Sequence, residues 1–141
     1  MLFLSKRKNK QGDLIPSQPV TQMLDEYLIM LVTPYTFYDN DVAESIPAGF
    51  TWDGATIFRI FYTFLGVCRF GYINPASLIH DYLYINKGVL PSGRTLSRRE
   101  VDNLFIQHII QLGIVTKPQS KKYALALRYG GYYFSSWKEK Y

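Results

Sequence analysis

Cysteine is nearly missing from this chain of 141 residues, where Cys68 stands alone. A single thiol excludes an intramolecular disulfide and a multi-cysteine zinc site, and with them the disulfide-stapled secreted scaffolds. Histidine is almost as scarce: only His80 and His108 occur, so imidazole chemistry has two places to be. No run of 18 apolar residues is present, and Met1 to Leu4 lead straight into Ser5-Lys6-Arg7-Lys8-Asn9-Lys10. The expectation is therefore neither a membrane span nor a signal peptide. Gly-x-Ser-x-Gly and glycine-rich phosphate loops are also absent, which argues against a serine nucleophile elbow and against nucleotide-dependent chemistry.

What is present fits one ordinary folded domain. Hydrophobic residues make up 48% and charged residues 19%, a balance that supports a buried core over most of the chain. Aromatic residues are in excess, with 12 Tyr, 9 Phe and 2 Trp; such rings serve cores and half-wet interfaces alike. The net charge of +5 is split: residues 1–10 carry +4, 11–60 carry −6, 61–116 carry +2 and 117–141 carry +5. Basic ends on a more acidic body suit attachment to a neighbouring subunit or a lipid surface. No nucleic-acid-binding module accompanies the charge, so sequence-specific nucleic-acid binding is not expected.

Residues 1–19, with Gly12, Pro16 and Pro19, read as a basic flexible arm, and 20–141 as a single globular domain. The apolar run Tyr27 to Val32 and the segment Tyr35 to Tyr38 read as strands, Asp39-Asn40-Asp41 as a turn, and a further strand ends at Ile46-Pro47. Residues 56–65 suit either a buried helix or a strand, and the helical reading is taken. Asn74-Pro75 starts a helix that Gly88 stops. Ser97-Arg98-Arg99-Glu100 is a capping box opening a helix with Val101, Leu104, Phe105, His108 and Leu112 on its apolar stripe. From Ser120 to Lys138, Gly130-Gly131 divides what is either one kinked helix or two short pieces. The fold class is thus α+β: a small N-terminal antiparallel sheet, then a mainly helical body containing an antiparallel helix pair.

The helix after Asn74 places Ala76, His80, Leu83 and Tyr84 on one face. Successive helical residues point about 100° apart, so Asp81 cannot orient the His80 ring. A working histidine needs an acid that fixes its tautomer, and Asp102, 22 residues on, is placed for it if the two helices pack antiparallel. Tyr84, one turn beyond His80, then donates its hydroxyl to Asp102, and Asp81 points elsewhere, for example at a cation. His108 sits in an apolar stripe and reads as structural; Cys68 reads as a small core residue.

His80-Asp81-x-x-Tyr84 followed by Asp102 resembles the active-site helix pair of the phospholipase A2 superfamily, above all its compact disulfide-free form in viral capsid proteins. The resemblance covers about residues 74–110 and implies His80 as general base, Asp81 as calcium ligand, and Tyr84 and Asp102 as supports. The glycine-rich calcium loop of that family is absent, with Gly66 and Gly71 standing in its region at a different spacing. Asp53, in the Asp53-Gly54 pair, reads as a turn residue or as a second hard-oxygen ligand beside Asp81 for calcium or magnesium. A second resemblance covers about residues 46–131. Ile46-Pro47-Ala48-Gly49-Phe50 with Asp53-Gly54-Ala55, then Leu78-Ile79-His80-Asp81-Tyr82-Leu83-Tyr84, then Ser97 to Phe105, then Arg128-Tyr129-Gly130-Gly131, look like successive blocks of an uncharacterised family of small proteins in tailed phages and prophages. It implies a phage origin more than a reaction.

The expected function is a phage-encoded hydrolase of ester or lipid type that uses a His80–Asp102 dyad and water, with calcium as the expected cofactor. The competing expectation is a non-catalytic tail or capsid accessory subunit that meets other virion proteins through its basic arm and aromatic C-terminal segment. A third is a cell-wall hydrolase acting during infection or lysis.

Overall fold

The computed structural model describes residues 19–25, 28–52, 74–113 and 115–141. The basic arm up to residue 18, Asp53, Cys68 and the helix expected over 56–65 lie outside the described residues. Among the described residues five short strands precede three helices, the α+β arrangement expected. Strands β1 (Thr21–Met23), β2 (Ile29–Leu31) and β5 (Thr51–Trp52) form one antiparallel sheet in the order β1-β2-β5, with Ile29 opposite Trp52. Strands β3 (Tyr35–Asp39) and β4 (Val42–Ile46) form a separate hairpin. Its two loop residues, Asn40 (φ 50°) and Asp41 (φ 63°), both take positive φ. That backbone makes the tight turn whose twist matches the strands, and Asn and Asp tolerate it better than most residues.

One face of the hairpin is buried, and its alternation explains why: Tyr35 and Phe37 on β3 and Ile46 on β4 enter the core. Glu44 shares that face and is fully buried, so its carboxylate needs partners. It finds them in Ser92 and Arg94, accepting from the Ser92 amide at 2.9 Å, the Ser92 hydroxyl at 2.8 Å and the Arg94 guanidinium at 2.7 Å. Burial by itself would raise the Glu44 pKa; the Arg94 and Ser92 hydrogen bonds outweigh that and hold it below the usual value. The hairpin is thereby latched to the helical body.

The helices are α1 (Asn74–Ile85), α2 (Arg98–Gln111) and α3 (Ser120–Phe134). Among the described residues none is long and apolar enough to cross a membrane. Helix α1 closes on two residues with positive φ, Lys87 (φ 51°) next to the cap and then Gly88 (φ 85°), the stop expected. The Gly88 amide then reaches back to the Leu83 carbonyl at 2.7 Å and the Lys87 amide to Tyr84 at 3.2 Å, the paired closure that satisfies otherwise orphaned carbonyls. Gly88 is required for a second reason. A Cβ there would meet the Leu96 carbonyl oxygen at 2.0 Å and the Trp137 ring at 2.9 Å. Helix α2 opens on the complete capping box, with the Ser97 hydroxyl accepting from the Glu100 amide at 3.1 Å and the Ser97 amide donating to Glu100 at 2.9 Å.

Helix α3 runs without interruption through Gly130-Gly131, so of the two alternatives the single helix is present and the two short pieces are not. Tertiary packing overrides the propensity cost of about 1 kcal/mol per glycine. The core joins both layers: Leu31, Phe37, Ile46 and Trp52 from the strands meet Leu78, Leu83, Val101, Phe105 and Leu127 from the helices. Trp137, beyond α3, folds back into it and sets its ring edge-on to Tyr84 at 5.2 Å.

Candidate active site

Contacts between α1 and α2 run in opposite order along the two helices. His80 meets Asp102 and Phe105, whereas Tyr84, further along α1, meets Arg98 at the start of α2. The pair is therefore antiparallel, as the spacing predicts. His80 Nε2 lies 3.0 Å from Asp102 Oδ1, and the Tyr84 hydroxyl donates to the same oxygen at 2.6 Å. All three side chains are buried. The His80 ring stacks on Tyr84 at 4.2 Å and takes the Phe105 edge at 5.1 Å.

Asp102 is a saturated acceptor. Its Oδ1 takes His80 and Tyr84; its Oδ2 takes the Arg98 guanidinium at 3.3 Å and the hydroxyl of Tyr141. A carboxylate has about four lone-pair positions, all used here. Because an ionised carboxylate only accepts, Nε2 of His80 carries the proton, and in the neutral ring Nδ1 holds the lone pair. Nδ1 has no hydrogen-bond partner among the described residues. Burial pulls the His80 pKa down, but the hydrogen bond to Asp102 and the negative charges of Asp102 and of the nearby Asp81 prevail, leaving it above the ordinary histidine value.

Two members of this cluster, Arg98 and Tyr141, are not among the site residues expected from the sequence. Arg98 is fully buried and donates to the carbonyls of Leu127 (3.3 Å), Arg128 (2.9 Å) and Glu139 (2.7 Å) as well as to Tyr84 and Asp102. A signal for it existed, since Arg98 stands four residues before Asp102 and so shares its helix face. Tyr141 lies 39 residues from Asp102, and no local pattern links them. The Arg98 guanidinium packs over the Tyr141 ring at 4.5 Å, so the C-terminal segment closes the cluster from outside. Of the aromatics assigned to a partner surface, Tyr123 and Trp137 are buried in the chain's own core; Tyr129 and Tyr133 remain exposed.

Gly131 explains why a glycine pair interrupts a helix-forming segment. A Cβ at this position would stand 2.5 Å from the Tyr84 hydroxyl and 2.9 Å from Arg98 Nη1. Glycine lets α3 approach the cluster closely enough for its carbonyls to reach Arg98. Gly131→Ala is expected to lower stability in urea unfolding by about 1–3 kcal/mol through overpacking, despite a helix-propensity gain of about 1 kcal/mol. Adding Tyr84→Phe should recover part of the loss; a Gly131→Ala protein at least as stable as the parent would refute the close-approach account.

Asp81 does not reach Nε2. Its Oδ1 lies 4.0 Å from His80 Nδ1, at the opposite end of the ring from Asp102. No group of three His, Cys, Asp or Glu side chains converges on a cation position among the described residues. Asp81 is thus one carboxylate, fewer than a calcium shell of six to eight oxygens requires. His108, on α2, is fully buried, and neither ring nitrogen has a hydrogen-bond partner among the described residues. Burial first, then repulsion from His80, pulls its pKa down to about 3, so it stays a neutral core residue at physiological pH.

A family model described as "Protein of unknown function (DUF1353)" matches residues 29–125. The chain belongs to the DUF1353 family. The DUF1353 span begins at β2 and takes in His80, Tyr84, Arg98 and Asp102, whereas Gly131, Trp137 and Tyr141 lie beyond it. No curated protein and no solved structure matches the chain.

Proposed function

We propose that this DUF1353 protein is a phage-encoded hydrolase of ester or lipid type, in which His80 activates water and Asp102 orients the imidazole. One observation carries the reading: a buried His80 is hydrogen-bonded through Nε2 to a saturated carboxylate, while Nδ1 has no hydrogen-bond partner among the described residues. In the proposed step Nδ1 takes a proton from water as its oxygen attacks the ester carbonyl, Asp102 stabilises the imidazolium, and the proton passes to the departing alkoxide. Tyr84, Arg98 and Tyr141 act as positioning residues, because each touches Asp102 and none touches Nδ1. Calcium bound through Asp81 and Asp53 would polarise the carbonyl and is proposed as a cofactor, but no step here depends on it.

The test is release of fatty acid from mixed phospholipid vesicles, with and without calcium. His80→Ala is expected to lower the rate by about 10²–10⁴-fold, and activity should rise with pH through a value above 6.5, since the base form is needed and the pKa is raised. An inactive parent protein under both conditions would sink the hydrolase reading. Complete burial of His80 favours a second reading, a virion accessory subunit that uses the cluster as a structural clamp. That reading requires a fixed copy number in purified particles by mass spectrometry.

A further inference from the structure

Beside the Asp102 cluster, α2 and α3 border an open cleft of about 350 Å³ that His80 does not line and the proposed reaction does not use. Arg99, Lys121 and Arg128 border it, and Tyr141 and Asn103 supply polar groups between them. All three cations are exposed, and no ion pair involves any of them among the described residues. The one carboxylate that borders the cleft, Asp102, already has both oxygens occupied from within the cluster. The floor is aliphatic, formed by Ile106, Ala124 and Leu125.

The floor does not stop at the cleft. Leu125 is 57% exposed, and Tyr129 (58%) and Tyr133 (72%) follow it at four-residue spacing along the same face of α3. Three large exposed side chains in line on one helix face, flanked by cations that no carboxylate neutralises among the described residues, match the physics of a surface that lies in a bilayer interface. Leucine enters the acyl boundary, tyrosine sits at headgroup level, and Lys and Arg meet anionic phosphates. Single-stranded nucleic acid also suits cations with rings, but its bases stack on aromatic side chains. Here the floor between the cations is aliphatic, and Tyr141, the ring that borders it, is already packed against Arg98 and Arg128.

We propose that this cleft and the α3 stripe form a binding site for an anionic phospholipid, with the phosphate between Arg99, Lys121 and Arg128 and the first acyl carbons on Ile106 and Leu125. The site deepens the lipid reading above and rests on it for its purpose, but its binding is measured without turnover. A failed binding test and a failed activity test are therefore separate results.

The experiment is sedimentation of the full chain with vesicles of phosphatidylcholine alone, and of phosphatidylcholine mixed with phosphatidylglycerol. Parallel titrations use inorganic phosphate, glycerol phosphate and a single-stranded oligonucleotide. Binding should be selective for the phosphatidylglycerol vesicles and weaken with salt. Each cation near an anionic surface is worth about 1 kcal/mol, or about five-fold, so Arg99→Gln with Lys121→Gln should weaken binding about thirty-fold. That double variant leaves the Arg128 contact with the Tyr141 ring intact, and an unchanged melting temperature would confirm its fold. Leu125→Ser, which removes apolar contact without adding charge, should weaken vesicle binding more than it weakens glycerol phosphate binding. Equal binding to both vesicle types, unchanged binding by the double variant, or no vesicle binding overturns the proposal. Inorganic phosphate bound as tightly as the vesicles would mark a free-phosphate site instead, and tighter binding of the oligonucleotide would mark a nucleic-acid site.

Discussion

Asp102→Ala is expected to unfold about 3–5 kcal/mol more easily than the parent in urea titrations, because it strands the buried Arg98 charge. Arg98 is 2% exposed, and Asp102 is the only carboxylate in ion-pair contact with its guanidinium among the described residues. Truncating Asp102 also removes the acceptor of the Tyr84 and Tyr141 hydroxyls and of His80. Three more buried or half-buried donors then lose their partner. Removing both charges behaves differently: Asp102→Leu combined with Arg98→Met should lie well above the sum of the single losses, since apolar replacement of a buried pair is often near neutral. If Asp102→Ala costs less than about 1 kcal/mol, the carbonyls around Arg98 are sufficient to hold its charge and the cluster is not organised by Asp102. The same comparison separates scaffold from chemistry. A double variant that is folded and inactive shows the dyad to be needed for reaction as well as for packing.

His108 should give the second large effect, on the pH dependence of stability. Its folded pKa is depressed from 6.5 to about 3, so the unfolded chain binds the proton that the folded chain refuses. Stability contributed by the neutral ring is fully present above 6.5 and is lost as pH falls toward 3, at about 1.4 kcal/mol per pH unit. His80 behaves oppositely. Its raised pKa contributes stability that is present below 6.5 and lost as pH rises through the folded value. Glu44, with a lowered pKa, contributes stability lost only as pH falls below 4.5. Between pH 5 and 6 the His108 slope thus stands largely alone. Unfolding free energies of the parent and of His108→Leu at pH 5, 6 and 7 test it; the variant should have the shallower slope below 6.5. Identical slopes would show that the ring titrates freely in the folded state.

Local chemistry made much of the architecture legible. The hairpin turn at Asn40-Asp41, the capping box at Ser97, the start of α1 at Asn74 and the apolar stripe of α2 each depend on residues within a few positions of one another. So does the proximity of His80 to Asp102 once α1 and α2 are taken as antiparallel neighbours, because the helical repeat then brings Tyr84 to the same carboxylate. Arg98 belonged to this legible set by its spacing from Asp102. An arginine at the start of a helix ordinarily extends into water, and only the arrival of the Leu127, Arg128 and Glu139 carbonyls makes its burial affordable.

The glycine pair shows the other side. Propensity reads Gly130-Gly131 as a break, yet the helix continues, because the space that a Cβ would fill at 131 belongs to Tyr84 and Arg98 from helices far away in sequence. The sequence by itself determined the hairpin, α1 and α2, the lack of an intramolecular disulfide and the residues able to form a His–Asp dyad, since all of these follow from residue type and short-range spacing. Tertiary structure alone decided that Asp102 is saturated, that Tyr141 closes the cluster and that three cations border one cleft. Each of those depends on contacts between elements brought together by burial of a shared core, which carry no periodic signature along the chain.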